Sequence, residues 1–178
     1  MVYTVKRILK ESIPFLIMSM FLDLASGGML ESKKELFISI PGIIILVPPM
    51  INLAGSIGSV LGSRISSFMH LGLDLRNLAV KDSMVALFIG IISSITLGFL
   101  GYIVYAQKES GVTVKIFVKI TVLAGVITVS SMIVLTILII FLSYLKGYDP
   151  DNVFIPIVAS IGDIVGIASL LIVIGLLY

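Results

Sequence analysis

The sequence predicts an all-α integral membrane protein with five transmembrane helices, which form a single domain over residues 1–178. Of the 178 residues, 58% are hydrophobic and 12% are charged, and the mean hydropathy is +1.22. This balance is far from that of soluble proteins. Five apolar runs also approach or exceed the roughly 20 residues that a helix needs to cross a bilayer. The last run, residues 153–178, is uncharged except for Asp163.

The first span is expected at residues 12–30, after the basic residues Lys6, Arg7 and Lys10. A basic segment followed by an apolar one also occurs in signal peptides, but we expect a retained first helix with a basic anchor. The second span, residues 37–69, is too long for one simple helix, and we expect it to be broken at Pro48-Pro49 and Gly55–Gly58. The remaining spans are expected at residues 83–106, 114–144 and 153–178.

The expected break in the second span permits two interpretations. The two prolines lack an N–H and leave carbonyls one turn earlier without a helical donor. Irregular backbone at membrane depth is tolerated where it is buried or lines a watery cavity, and transporters place ions at such helix ends. Alternatively, this region is a proline kink followed by a glycine packing face.

The distribution of basic residues favours a cytoplasmic N-terminus and an external C-terminus. Positive charge accumulates on the cytoplasmic side of membrane proteins. The N-terminal side carries seven basic residues and the other side five. They are Lys6, Arg7, Lys10, Arg64, Arg76, Lys81 and Lys146 against Lys33, Lys34, Lys108, Lys115 and Lys119.

Composition also restricts the chemistry. A net charge of +2 gives no indication of nucleic-acid binding. The absence of cysteine excludes disulfides, thiolate metal sites and cysteine nucleophiles. A single histidine cannot build a histidine-rich site. Any metal is therefore expected to be held by oxygen, which suits Mg²⁺, Mn²⁺ and Ca²⁺.

Asp163 is the principal candidate for function. A carboxylate at the centre of a bilayer costs roughly 2.5–3.5 kcal/mol on insertion scales, so such residues usually mark ion or proton paths. The other interpretation is an acid neutralised by a proton or a neighbouring helix. Ala159, Gly162 and Gly166 share its helix face, and the two glycines permit close approach of another helix. An acid on such a face suits a pore wall.

Two stretches carry a family resemblance. Residues 48–66 read PPMINLAGSIGSVLGSRIS, and residues 149–156 read DPDNVFIP, followed by SIGD at 160–163. They resemble the MgtE-type divalent-cation transporters, including their eukaryotic solute-carrier relatives. Ser56 departs from the asparagine that the family has after the glycine. The resemblance implies a cation transporter or channel in the cell membrane, not an enzyme, with Mg²⁺ as the first candidate ion and Mn²⁺ or Ca²⁺ as alternatives.

The resemblance further implies a homodimer with the pore at its two-fold axis, lined by the second and fifth helices of both subunits. Asp163 matches the pore aspartate, and Ala159 matches the residue whose carbonyl lies beside the ion. We expect the soluble sensor domains of bacterial members to be absent. The expected pore-lining residues are Asn52, Gly55, Ser56, Gly58, Ser160, Gly162 and Gly166.

Several alternatives stay open. Asp23, in the first span, is a possible second cation ligand, a proton carrier or a structural group. Together with Asp163 it also permits an intramembrane aspartyl protease, since such enzymes need two carboxylates. A non-transporting membrane subunit is a further alternative. We expect His70 to be an interfacial residue, with pH sensing as its alternative. Asp149 and Asp151 are expected to begin the fifth helix, with an entry site for cations as the alternative.

Overall fold

The computed structural model describes residues 5–72, 75–106 and 113–177, and every regular element in these ranges is a helix. Helix α1 is followed by a short α2 and a 3₁₀ segment, and four long helices complete the chain. Their bounds are α1 Val5–Ser32, α2 Lys34–Ser39, the 3₁₀ segment Ile43–Leu46, α3 Val47–His70, α4 Leu75–Ala106, α5 Val114–Leu145 and α6 Pro150–Leu177.

Five helical segments are long and apolar enough to cross a membrane, which confirms the prediction of five spans and an integral membrane protein. Apolar length is a reliable signal because only about 20 helical residues can cover the hydrocarbon layer. The candidate spans are Ile8–Ser32, Ile43–His70, Asn77–Tyr105, Val114–Leu145 and Pro150–Leu177.

The interruption of the second span falls before the prolines. The chain leaves α2 at Ser39, turns at Gly42 with a φ of 77°, and forms the 3₁₀ segment. Pro48 and Pro49 then occupy the first turn of α3, where a missing N–H leaves no helical bond unmade. The helix is continuous through Gly55 and Gly58. The carbonyl of Ile44 is not free, because it accepts the backbone N–H of Val47.

Helix α6 lies at the centre of the bundle, with its main contacts to α3, α5 and α1. In its most apolar stretch 56% of the residues are buried, against 11% for α1 at the periphery. The α4 helix packs on α5 and α3. The Arg64 guanidinium of α3 donates to both carboxylate oxygens of Asp82 in α4, at 2.7 and 2.9 Å, and so joins these helices near one end.

Helices α3 and α6 pack antiparallel along a line that we call the α3–α6 seam. From one end to the other, Gly62 lies against Phe154, Gly58 against Val158, Gly55 against Gly162 and Ile51 against Gly166. A Cβ added to Gly162 would lie 2.8 Å from the Gly55 nitrogen, and one added to Gly166 would lie 3.1 Å from the Ile51 Cα. The glycines therefore bring the two backbones into direct contact.

Candidate functional site

Asp163 lies at the middle of α6, thirteen residues after Pro150 and fourteen before Leu177. It directly follows Gly162, so its backbone is fixed where α6 touches Gly55 of α3. Asp163 is half-buried, and Asp23 of α1 is exposed. The two carboxylates are close enough for their charges to interact. The fold thus brings Asp23 and Asp163, two acids well inside their candidate spans, to one region. A carboxylate near the centre of a bilayer is costly.

Helix α3 carries a line of polar residues along its whole length, which we call the polar stripe. Its members recur every three or four residues and therefore share one face of the helix. None of them belongs to the buried core. Ser56 donates weakly to the Asn52 side-chain oxygen at 3.5 Å. The members are Asn52, Ser56, Ser59, Ser63, Ser67 and His70.

A matching face of α6 borders the same seam. Asn152, Pro156, Ala159 and Asp163 recur at helical spacing, and all are exposed or half-buried. Gly55, which lies between Asn52 and Ser56, contacts Ala159, since a Cβ on Gly55 would stand 4.0 Å from the Ala159 Cα. Asp163 and the polar stripe are therefore neighbours on the outside of this bundle, with small residues between them.

The other residues named from the sequence lie deeper. Gly58, Ser160, Gly162 and Gly166 are buried, whereas Gly55 is half-buried. A Cβ on Gly58 would lie 2.4 Å from a Val158 methyl group. In a single copy of the chain these four residues therefore belong to helix packing, while Asn52, Ser56, Ala159 and Asp163 belong to the accessible face.

A groove of about 420 Å³ runs beside the polar stripe, between α3 and α4. Four polar side chains line it among apolar ones, namely Asn52, Ser56, Ser93 and Thr96. Hydroxyl and amide groups at this depth are unusual for a surface in contact with lipid. The groove extends the polar character of the accessible face onto α4.

The structure also brings together three residues that the sequence does not connect. His70 ends α3, while Asp149 and Asp151 lie at the start of α6, and one ligand atom from each lies within 4.8 Å of the others. We call this group the mouth cluster. The Asp151 N–H donates to the Asp149 carboxylate at 3.2 Å, which confirms the expected helix-start role of Asp149. The only sequence signal for the group was the Asp-Pro-Asp motif.

Comparison with known proteins gives a family match over residues 47–173, to the model described as MgtE, a divalent cation transporter. Solute carrier family 41 member 2 of Mus musculus is 29% identical over 95% of this chain and 33% of its own length. Member 3 of Mus musculus is 27% identical over 93% of this chain and 38% of its own length. Member 2 of Homo sapiens is 28% identical over 89% of this chain and 29% of its own length. The chain thus spans about a third of the length of these relatives.

Proposed function

Since the chain belongs to the MgtE family of divalent cation transporters, we propose that it conducts divalent cations, with Mg²⁺ foremost, between two copies of itself. The proposed path is lined by α3 and α6 of both subunits, with Asp163 as the ion-binding carboxylate. The single observation that carries this proposal is the position of Asp163, at mid-depth on an accessible face. Mn²⁺ and Ca²⁺ are alternative cargoes, because they use the same oxygen ligands.

Charge balance supports a cation at this position. A two-fold axis beside the seam would bring two Asp163 carboxylates together, and each has Asp23 of its own chain nearby. Such like charges in a medium of low dielectric constant repel strongly unless a cation offsets them. Carboxylate rings are a general device for cation selectivity. Mg²⁺ loses its waters reluctantly, so the small Ala159 beside the acid leaves room for a hydrated ion.

The polar stripe supports the second copy. Five of its members carry hydroxyl or amide groups on a helix that is long enough to cross the membrane. Polar groups that face lipid tails lack hydrogen-bond partners outside the protein, so they are normally turned toward another helix or toward water. A partner subunit across the stripe would provide another helix for these polar groups, and a water-filled path between the α3–α6 seams of the two subunits would provide water.

Flux through purified protein tests the function itself. Proteoliposomes that contain the protein and an encapsulated Mg²⁺ dye should show uptake driven by an inside-negative potential, and protein-free liposomes should not. Parallel runs with Mn²⁺ and Ca²⁺ rank the cargoes. Absence of flux for all three ions in folded protein would contradict the proposal. This outcome would favour the protease or the non-transporting subunit.

Disulfide crosslinking tests the two-fold arrangement, and the cysteine-free sequence makes the experiment clean. Ala159→Cys and Ser56→Cys place single thiols on the proposed dimer face, and both are expected to give crosslinked dimers in membranes under mild oxidation. Phe88→Cys is the matched control, because Phe88 lies near mid-depth on α4 and is 67% exposed. Equal crosslinking at Phe88, or none at the other two positions, would contradict this interface.

A further inference from the structure

We propose that His70, Asp149 and Asp151, the mouth cluster, form a second divalent-cation site, which prefers a first-row transition metal such as Mn²⁺ or Zn²⁺ to Mg²⁺. This site is separate from Asp163 and does not depend on the proposed transport path. Its role would be to join the end of α3 to the start of α6.

The geometry allows coordination by all three side chains. The His70 Nε2 atom lies 3.7 Å from the Asp149 Oδ1 atom and 3.9 Å from the Asp151 Oδ2 atom. Metal–ligand bonds of about 2.0–2.2 Å place neighbouring ligand atoms roughly 3–3.5 Å apart. The three ligand atoms, which lie within 4.8 Å of one another, must therefore draw closer around an ion to complete the site. The side chains of His70 and Asp151 are 36% and 50% exposed, so water has access to the remaining coordination positions.

The charge around Asp149 is the independent reason to expect a cation. Its side chain is only 4% exposed. Among the described residues, the Asp151 N–H is the one hydrogen-bond donor to its carboxylate. Glu11 of α1 adds a third acid, whose Oε2 atom accepts from the backbone N–H of Asp149 at 3.4 Å and from Asn152 at 3.0 Å. A cation bound beside a buried carboxylate is stabilised by the other carboxylates near it.

The position separates this site from the proposed pore acid. Asp151 precedes Asp163 by twelve residues on α6, which corresponds to about 18 Å at the helical rise of 1.5 Å per residue. This distance exceeds half of a hydrocarbon layer of about 30 Å. The mouth cluster therefore lies at the membrane boundary, at the end of the bundle where α1 begins. His70 is also the last member of the polar stripe, so the site stands at one end of the accessible face.

The ligand types determine the preferred metal. Imidazole nitrogen binds Mn²⁺, Co²⁺ and Zn²⁺ well, whereas Mg²⁺ prefers oxygen ligands and water. A site with one imidazole and two carboxylates therefore favours transition metals over Mg²⁺. A site made only of carboxylates would not have this preference. Such an ion would connect the two helices that form the α3–α6 seam.

Because the chain has one histidine, NMR of histidine-labelled protein, with any affinity tag removed, reports on this site alone. Substoichiometric Mn²⁺ is expected to broaden the His70 imidazole signals, and Zn²⁺ is expected to shift them, whereas millimolar Mg²⁺ should do neither. The same response is expected in Asp163→Asn. In Asp149→Asn and Asp151→Asn the apparent Zn²⁺ affinity should fall at least about tenfold. Glu35→Gln removes an exposed acid on α2 and is the matched control.

A second measurement keeps the test decisive if Asp149→Asn disturbs the start of α6. Zn²⁺ should raise the melting temperature of the wild-type protein in detergent, and His70→Gln should remove this rise without lowering the metal-free melting temperature. Unchanged His70 signals with Mn²⁺ and Zn²⁺ would overturn the proposal and leave the cluster as an ion pair. Loss of the response in Asp163→Asn would also overturn it, because the metal would then bind at the pore acid. Neither result depends on whether the protein transports ions.

Discussion

Asp163→Asn is expected to abolish divalent-cation flux in proteoliposomes while the protein still folds and inserts. The substitution keeps the size of the side chain and removes the charge that the proposed path needs for cation binding. It also removes the cost of a carboxylate at mid-membrane, so the stability of the fold should not fall. We expect flux to decrease at least about a hundredfold, which corresponds to about 2.8 kcal/mol of lost ion stabilisation. The measurement is initial Mg²⁺ uptake per reconstituted protein chain.

Two further variants sharpen this result. Glu35→Gln removes an acid that is exposed on α2 and should leave flux unchanged. Asp23→Asn should have an intermediate effect, because Asp23 interacts with Asp163 through its charge and lies on a different helix. If Asp163→Asn transports at the wild-type rate, the pore assignment is wrong. If the wild type cleaves peptides but moves no ion, and Asp23→Asn and Asp163→Asn both abolish cleavage, the protease interpretation is correct.

Gly162→Ala is expected to destabilise the protein by about 1–3 kcal/mol, the usual cost of overpacking a tight contact. The added Cβ would lie 2.8 Å from the Gly55 nitrogen and 3.0 Å from its Cα. Backbone atoms cannot rotate away as a side chain can, so α3 and α6 must separate. A clear fall in melting temperature in detergent is the expected result. Flux should fall as well, since Asp163 is the next residue.

Gly175→Ala provides the matched control for this experiment. Gly175 lies on the same helix, and an added Cβ there would have no atom within 4 Å. Replacing glycine by alanine within a helix normally stabilises it by roughly 0.5–1 kcal/mol. The control should therefore keep or raise the melting temperature. If Gly162→Ala behaves in the same way, the close backbone contact between α3 and α6 does not contribute to stability.

Much of the fold could be predicted from the sequence because the bilayer restricts it strongly. A spanning helix needs a long apolar run, and all five runs correspond to helices in the structure. The interruption of the second span was harder to place. Proline ends a helix that precedes it but is well accommodated in the first turn of a helix that it begins. The structure uses the second option, so the irregular backbone lies before Val47 and not at Gly55.

Asp163 could be identified from the sequence, whereas the mouth cluster could not. Asp163 stands alone in an apolar run, and the cost of a charge in lipid identifies it without any knowledge of packing. His70 and Asp149 are far apart in the chain, and they meet only because α3 and α6 pack antiparallel in one particular register. Neither residue is unusual by itself at the end of a membrane helix. Proximity of this kind depends on tertiary structure, which hydropathy and spacing do not describe.

The polar stripe of α3 has a consequence for how this protein behaves when it is diluted in a membrane. A single copy leaves Asn52, Ser56 and Ser63 exposed, and in the proposed dimer a second copy would cover them. Stability then follows mass action, so the melting temperature should rise with the ratio of protein to lipid. Vesicles with few copies should hold a less stable protein than densely reconstituted vesicles of the same composition. In the proposed dimer, the amount of protein per unit of membrane area is therefore a variable of folding as well as of the proposed transport.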